Sequence, residues 1–172
     1  MSDPSKNFGE AAKRYSAFRP DYPAAVFEFL TAHAASGRGF AVDLGAGSGQ
    51  ATRRLATLYD RVVAVEPDSR LAGDGAFAAN VAVEVKAAEE ADFPAGSVDA
   101  VISATAFHWM DQPLVCRHVA RWLKPGGAFF PFAFDAFEVE GEAGEIYKSE
   151  FKKWAAYRDR RLIDCYDYLR AL

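Results

Sequence analysis

Cysteine is scarce in this 172-residue chain: only Cys116 and Cys165 are present. They lie far apart and match no metal-ligand spacing. Both fall within helical patterns, so they read as reduced core thiols rather than a redox pair, and no metal site is expected. Cationic excess is also missing. The formal net charge is -4, which offers no basic face for nucleic acid, so no nucleic-acid partner is expected. No apolar run reaches the ~18 residues needed to span a bilayer. Met1 to Phe8 lacks the charged-then-apolar layout of a secretory leader, and the expected compartment is the cytoplasm. No internal repeat or low-complexity tract interrupts the chain, whose length suits a single domain with a substantial core.

What is present begins with Phe40 to Gln50, Phe-Ala-Val-Asp-Leu-Gly-Ala-Gly-Ser-Gly-Gln. A short apolar run of strand character breaks into Gly45, Gly47 and Gly49, and a helical pattern follows with Ala51, Leu55 and Leu58. Strand, glycine turn and helix form the geometry in which a ligand lies against bare backbone at the mouth of a parallel sheet. Glycine permits φ > 0 and close approach to the main chain. A full dinucleotide fingerprint would place glycine at position 50, where Gln50 stands. Alone, the turn is weak evidence.

Four further strands are expected. Arg61 to Glu66 is a continuous apolar run ending in an acid, as suits a strand covered on both faces. Val81 to Lys86, Val98 to Ser103 and Ala128 to Phe134 follow. The helices between them run from Pro23, which opens a helix ended by Gly37 and Gly39; from Gln50 to about Leu58; from Asp68 to about Ala79, weakened by Gly73 and Gly75; and from Pro113 to Leu123. In the last, Val115, Val119, Trp122 and Leu123 share one face, and Lys124-Pro-Gly-Gly127 stops it. This alternation predicts an α/β fold, a Rossmann-like doubly wound parallel sheet with helices on both faces. Residues 1–23 read as an N-terminal lid with an extended joint at Arg19-Pro-Asp-Tyr-Pro23, residues 24–134 as the core, and residues 135–172 as a helical tail with a solvated, mixed-charge face.

Several of these stretches together carry a resemblance. Asp43-Leu-Gly-Ala-Gly-Ser-Gly, Glu66 closing strand two, Ala88-Glu89 after strand three and Leu123-Lys-Pro-Gly-Gly127 before strand five resemble the class I S-adenosylmethionine-dependent methyltransferases. The match runs from about Tyr15 to Phe134. Tyr15-Ser-Ala-Phe-Arg-Pro-Asp-Tyr-Pro23 and Ala106-Phe-His-Trp-Met-Asp111 look most like the branch containing trans-aconitate methyltransferase-like enzymes. The resemblance implies strand order 3-2-1-4-5, S-adenosylmethionine as cofactor and methyl transfer to a small-molecule acceptor, a carboxylic acid among the candidates.

Residue by residue, it implies that Glu66 accepts the two ribose hydroxyl protons. Asp43 would hold the glycine loop and approach the methionine moiety; a plain reading has it bonding turn amides, and both can hold together. Gly45, Ala46 and Gly47 would offer backbone near the methionine end. Pro67, Ala88 and Glu89 would border the adenine. Relatives often carry an aspartate where Ala87 stands, so its contact is either missing or made by Glu89 or backbone. Thr105 would lie beside the sulfonium. Tyr15 and Arg19 resemble a lid over the cofactor and acceptor, Arg19 forking an acidic acceptor. His108 is the candidate general base for a hydroxyl or amine acceptor, weighed against a merely satisfied polar group. Trp109 would wall the pocket or pack under the following helix.

Relatives usually continue beyond the helical tail into two more strands beside strand five. The expectation is therefore an exposed fifth strand with Pro131 at its middle, covered by a second copy through that strand or the tail helices. Three functional readings stand: a small-molecule methyltransferase; a shortened, non-catalytic S-adenosylmethionine-binding protein; and a nicotinamide-dependent oxidoreductase, against which Gln50 argues.

Overall fold

The structure, a computed structural model, describes residues 21–72, 77–133 and 140–155. The chain divides into two compact units, Met1–Phe132 and Ala133–Leu172. The first holds α1 (Ala24–His33), β1 (Phe40–Leu44), α2 (Gln50–Ala56), β2 (Arg61–Val65), α3 (Ser69–Ala72), β3 (Val81–Glu84), β4 (Val98–Ala104), α4 (Gln112–Trp122) and β5 (Leu123–Phe132). The second contains α5 (Gly141–Ala155). The five strands form one sheet in the order β3-β2-β1-β4-β5, parallel in every pairing, and this is the Rossmann-like arrangement.

Alternation along β1 and β4 divides the core in two. Ala41, Ala100 and Ile102 face Phe27, Leu30, Ala51 and Leu55 of α1 and α2. Val42, Leu44 and Val101 face Val115, Val119 and Trp122 of α4. Both faces are therefore apolar, and every residue of β1 is buried. Pro23 precedes α1, whose end at His33 falls short of Gly37. Asp111 caps α4 by accepting the Leu114 amide, with Pro113 in the first turn.

Several boundaries differ from those expected. β5 begins at Leu123 instead of Ala128. Pairing with β4 draws the Lys-Pro-Gly-Gly segment into the strand through a register shift between Val98 and Ala100. Gly126 takes φ +79° there, and its carbonyl accepts the Ala35 and Ser36 amides at 2.9 and 3.2 Å. α3 is a single turn, and α2 and β3 are shorter than read. Cys116 is exposed, which corrects its reading as a core thiol: it sits one residue past Val115 and turns off the apolar face. Cys165 lies outside the described residues.

At the amino end of the sheet Asp99 is fully buried. It accepts the Phe40 amide at 2.8 Å and the Lys124 ammonium with both oxygens at 2.9 Å, tying β1, β4 and β5 together. At the outer edge β5 places Pro131 in an exposed position. Phe130 stacks on Phe29 of α1 at 5.4 Å, while Phe129 meets Phe107 edge-on at 5.3 Å. Among the described residues no helix is long and apolar enough to cross a membrane.

Candidate active site

A cavity of about 410 Å³ opens at the carboxyl ends of β1, β2 and β4. This is the switch point of the sheet, where β2 and β4 leave β1 on opposite sides. Its walls come from the turn after β1 (Gly45, Ala46, Gly47, Ser48), the β2 end (Glu66, Pro67, Asp68), the 3-10 turn Ala88–Glu90, and the segment from Ala104 to Met110, with Tyr22 completing the β4 side.

The glycine turn has the positive φ values that its composition allows. Gly45 sits at +71° and Gly47 at +56°. A Cβ on Gly45 would lie 2.5 Å from the Ala106 Cβ, so bare backbone is needed for the two loops to pack; a Cβ on Gly47 would meet no atom within 4 Å. Gly47 therefore exposes its main chain to the cavity.

Glu66 caps β2 and is buried to 6% exposure. One carboxylate oxygen accepts the Gly47 amide at 2.8 Å and the other the Asp68 amide at 3.0 Å. Burial pushes this carboxyl above its ordinary value, partly offset by those two amides. Each oxygen keeps a second lone pair and can still accept a ligand hydroxyl. Asp68 is bound by Arg70, its oxygens taking the Arg70 amide and guanidinium at 2.8–3.0 Å.

Asp43 does not line the cavity. It shares the strand face of Ala41, which α2 covers, and one of its oxygens accepts the Thr52 hydroxyl at 2.6 Å. The other has no partner. Burial, with the nearby Glu66 charge adding to it against the Thr52 bond, pushes Asp43 up to about 7. Its placement braces α2 behind the turn.

Thr105, on the cavity wall, takes φ +56° and is the described non-glycine residue with a left-handed backbone. For a β-branched side chain this is a steric outlier costing about 1–3 kcal/mol. Its amide donates to the Phe132 carbonyl at 2.7 Å. The Tyr22 hydroxyl lies 3.2 Å from the Thr105 hydroxyl and donates to the Ala104 carbonyl at 3.3 Å.

Of the expected site residues, Gly45, Ala46, Gly47, Glu66, Pro67, Ala88, Glu89, Thr105 and Trp109 all border the cavity. Glu89 has one oxygen on the Asp111 amide at 2.6 Å, joining the loops after β3 and β4. His108 does not reach the wall. It is buried, with its ring 5.0 Å from Trp109. The 3-10 turn Phe107–Trp109 explains this, because residues three apart align, and Ala106 and Trp109 face the cavity together. Tyr15 and Arg19 lie outside the described residues. Tyr22 and Gln50 were not anticipated. Tyr22 adjoins Pro23 in the joint already singled out. Gln50 was read only as a missing glycine, yet its amide nitrogen is enclosed without a partner. Among the described residues no cluster of His, Cys, Asp and Glu could hold a metal.

A parallel sheet of this order, with a glycine turn beside a strand-end acid, defines a Rossmann-like α/β domain. Residues 42–130 match the methyltransferase-domain family, and the chain belongs to that family. A protein named as a methyltransferase in Dictyostelium discoideum is 34% identical over 165 residues, covering 91% of this chain and 62% of the relative. One from Mycobacterium bovis, named only as a methyltransferase, is 39% identical over 127 residues, covering 73% and 51%. Among solved structures, a protein assigned as a type II methyltransferase from Anaeromyxobacter dehalogenans is 33% identical with a TM-score of 0.73, covering 84% of this chain and 62% of that one. The chain thus spans between half and two thirds of the length of these relatives.

Proposed function

We propose that the chain binds S-adenosylmethionine and transfers its methyl group to a small-molecule acceptor. Glu66 carries this reading: a strand-end carboxylate held by the Gly47 and Asp68 amides faces the cavity beside the bare backbone of the glycine turn. The cavity volume falls within the range of small-molecule sites, and Gly47 leaves open the space that a side chain would fill. The enclosed Gln50 amide nitrogen supplies a donor for a ligand carboxylate.

When bound, the cofactor supplies an electrophilic methyl on a sulfonium. The chain's own work is to hold and align. Glu66 accepts the ribose hydroxyls, Gly45 to Gly47 offer main chain to the amino-acid tail, and Pro67, Ala88 and Glu89 border the base. Thr105 and Trp109 stand at the acceptor side. His108 does not line the cavity and packs beside Trp109, so we place it in support of that indole. The trans-aconitate-like branch rests on the Tyr15–Pro23 and Ala106–Asp111 stretches; a carboxylic-acid acceptor would need Arg19 as its cation and is the competing reading that the acceptor test below decides. A second copy covering the β5 edge is proposed on the same footing, and light scattering at micromolar concentration tests it.

Calorimetry with S-adenosylhomocysteine tests the cofactor reading. Glu66→Ala removes two hydroxyl bonds to a charged acceptor, each about 1.5–3 kcal/mol, so affinity falls at least about a hundredfold. Gln50→Leu costs less, about tenfold, for one bond to a charged carboxylate. No heat with the unaltered protein, or unchanged heat with Glu66→Ala, refutes the reading. Binding without methyl transfer to any acceptor points instead to a non-catalytic binder.

A further inference from the structure

The sheet order sets how a ligand lies across the cavity. β2, which ends at Glu66, and β4, which leads into Thr105, flank β1 on opposite sides. Their ends are therefore two strand spacings apart, about 10 Å. The acidic wall residues, Glu66, Asp68 and Glu89, follow β2 and β3. Among the described residues the β4 side is walled by Tyr22, Ala104, Thr105, Ala106, Trp109 and Met110, none with a formal charge. If the ribose sits on Glu66, the acceptor approaches from this uncharged side.

Two hydroxyls meet there. Tyr22 and Thr105 lie 3.2 Å apart, and both are held from behind. The Tyr22 hydroxyl reaches the Ala104 carbonyl, and its ring packs edge-on against Phe132 at 5.1 Å. Thr105 is fixed through its amide to the Phe132 carbonyl, in a backbone state that its side chain disfavours. A strained residue anchored on both sides and facing a cavity keeps its hydroxyl in one place.

Resting on the methyl-transfer reading above, we propose that the Tyr22–Thr105 hydroxyl pair is the acceptor-recognition point. It selects an uncharged group carrying both a hydrogen and a lone pair, an alcohol, phenol or neutral amine, over a carboxylate. Adjacent hydroxyls accept an incoming O–H or N–H and can turn a proton toward its heteroatom. With the neutral thioether of S-adenosylhomocysteine in place, a carboxylate would surrender its hydration beside a wall whose described charged neighbours are acids, and burial of a charge is costly without a paired cation. Tyr22 is thereby a specificity-determining residue.

The test uses the full chain saturated with S-adenosylhomocysteine, after its binding has been measured separately; failure at that first step refutes the cofactor reading rather than this one. Phenol, aniline and benzoate are then titrated into the complex at pH 7 by calorimetry. At least one neutral probe binds about tenfold or more tighter than benzoate. Tyr22→Phe and Thr105→Val each weaken that probe about fivefold or more, and weaken it more than they weaken S-adenosylhomocysteine. Thr105→Ser, which keeps the hydroxyl, restores it. Benzoate binding as tightly as the better neutral probe, no binding of either neutral probe, or Tyr22→Phe without effect each overturns the proposal.

Discussion

Asn in place of Asp99 isolates the charge of a buried brace while keeping its shape. Asp99 is fully buried and receives one amide and a bifurcated ammonium at 2.8–2.9 Å. Burial alone would raise its carboxyl, but the Lys124 bond and the Phe40 amide outweigh that and hold it below the ordinary value. Replacement removes the ion pair with Lys124 and makes the Phe40 bond a neutral one, worth about 0.5–1.5 kcal/mol in place of about 1.5–3. It also turns an NH2 group toward one of its two former donors. Lys124 is 35% exposed, so solvent screens part of its attraction. The net loss is about 2 kcal/mol, which for a chain of this size is about 4–8 °C in Tm. Because the folded carboxyl is the stronger acid, this stabilisation is present above the unfolded pKa, about 3.9, and disappears as pH falls through the folded value. Thermal unfolding followed by circular dichroism should give a constant gap between wild type and Asp99→Asn from neutral pH down to about 5, closing below about 4. A gap under about 1 °C at pH 7, or one that widens in acid, refutes the reasoning.

Gly45→Ala and Gly47→Ala should separate packing from binding. The first puts a Cβ 2.5 Å from Ala106 at φ +71° and should lower stability by about 2–4 kcal/mol. The second meets no protein atom and should cost only about 1–2 kcal/mol, yet calorimetry should show the larger proportional loss of S-adenosylhomocysteine affinity. Asp43 is held at about 7 against an ordinary 3.8. Its protonated form therefore favours folding; that contribution is full below about 4 and is lost as pH rises through about 7. Asp43→Asn should gain on wild type in Tm across that window, and a difference independent of pH would refute the assignment.

Much of the fold was legible because both faces of the central strands are covered. Val62 to Val65 and Val98 to Ile102 contain no polar residue except Asp99, and that pattern fits a parallel sheet. The glycine turn and Glu66 were legible for a related reason: φ > 0 and a strand-end acid leave marks in the sequence itself. The misses arose where tertiary pairing overrode local signals. Lys-Pro-Gly-Gly is a helix stop by its residues, yet β4 recruits it into β5. His108 was judged by its place in the chain, whereas a three-residue turn period decides which side chains face the cavity. Asp43 could have been assigned by alternation with Ala41, which places it toward α2. Tyr22 depends on a contact across 83 residues, for which local periodicity holds no information.

The same topology accounts for the division of labour in the site. A strand order that reverses at β1 separates the loops after β2 and β3 from the loop after β4, and these two groups can differ in chemistry while sharing one glycine turn. Glu66 links the turn to the first group through Gly47 and Asp68. Ala106 links it to the second by packing where Gly45 has no Cβ. Glu89 closes the circuit by holding the Asp111 amide. The walls are thus joined before any ligand enters, so binding orders less of the chain and loses less affinity to that ordering. Loss of Glu66 consequently removes a loop brace as well as a ligand contact.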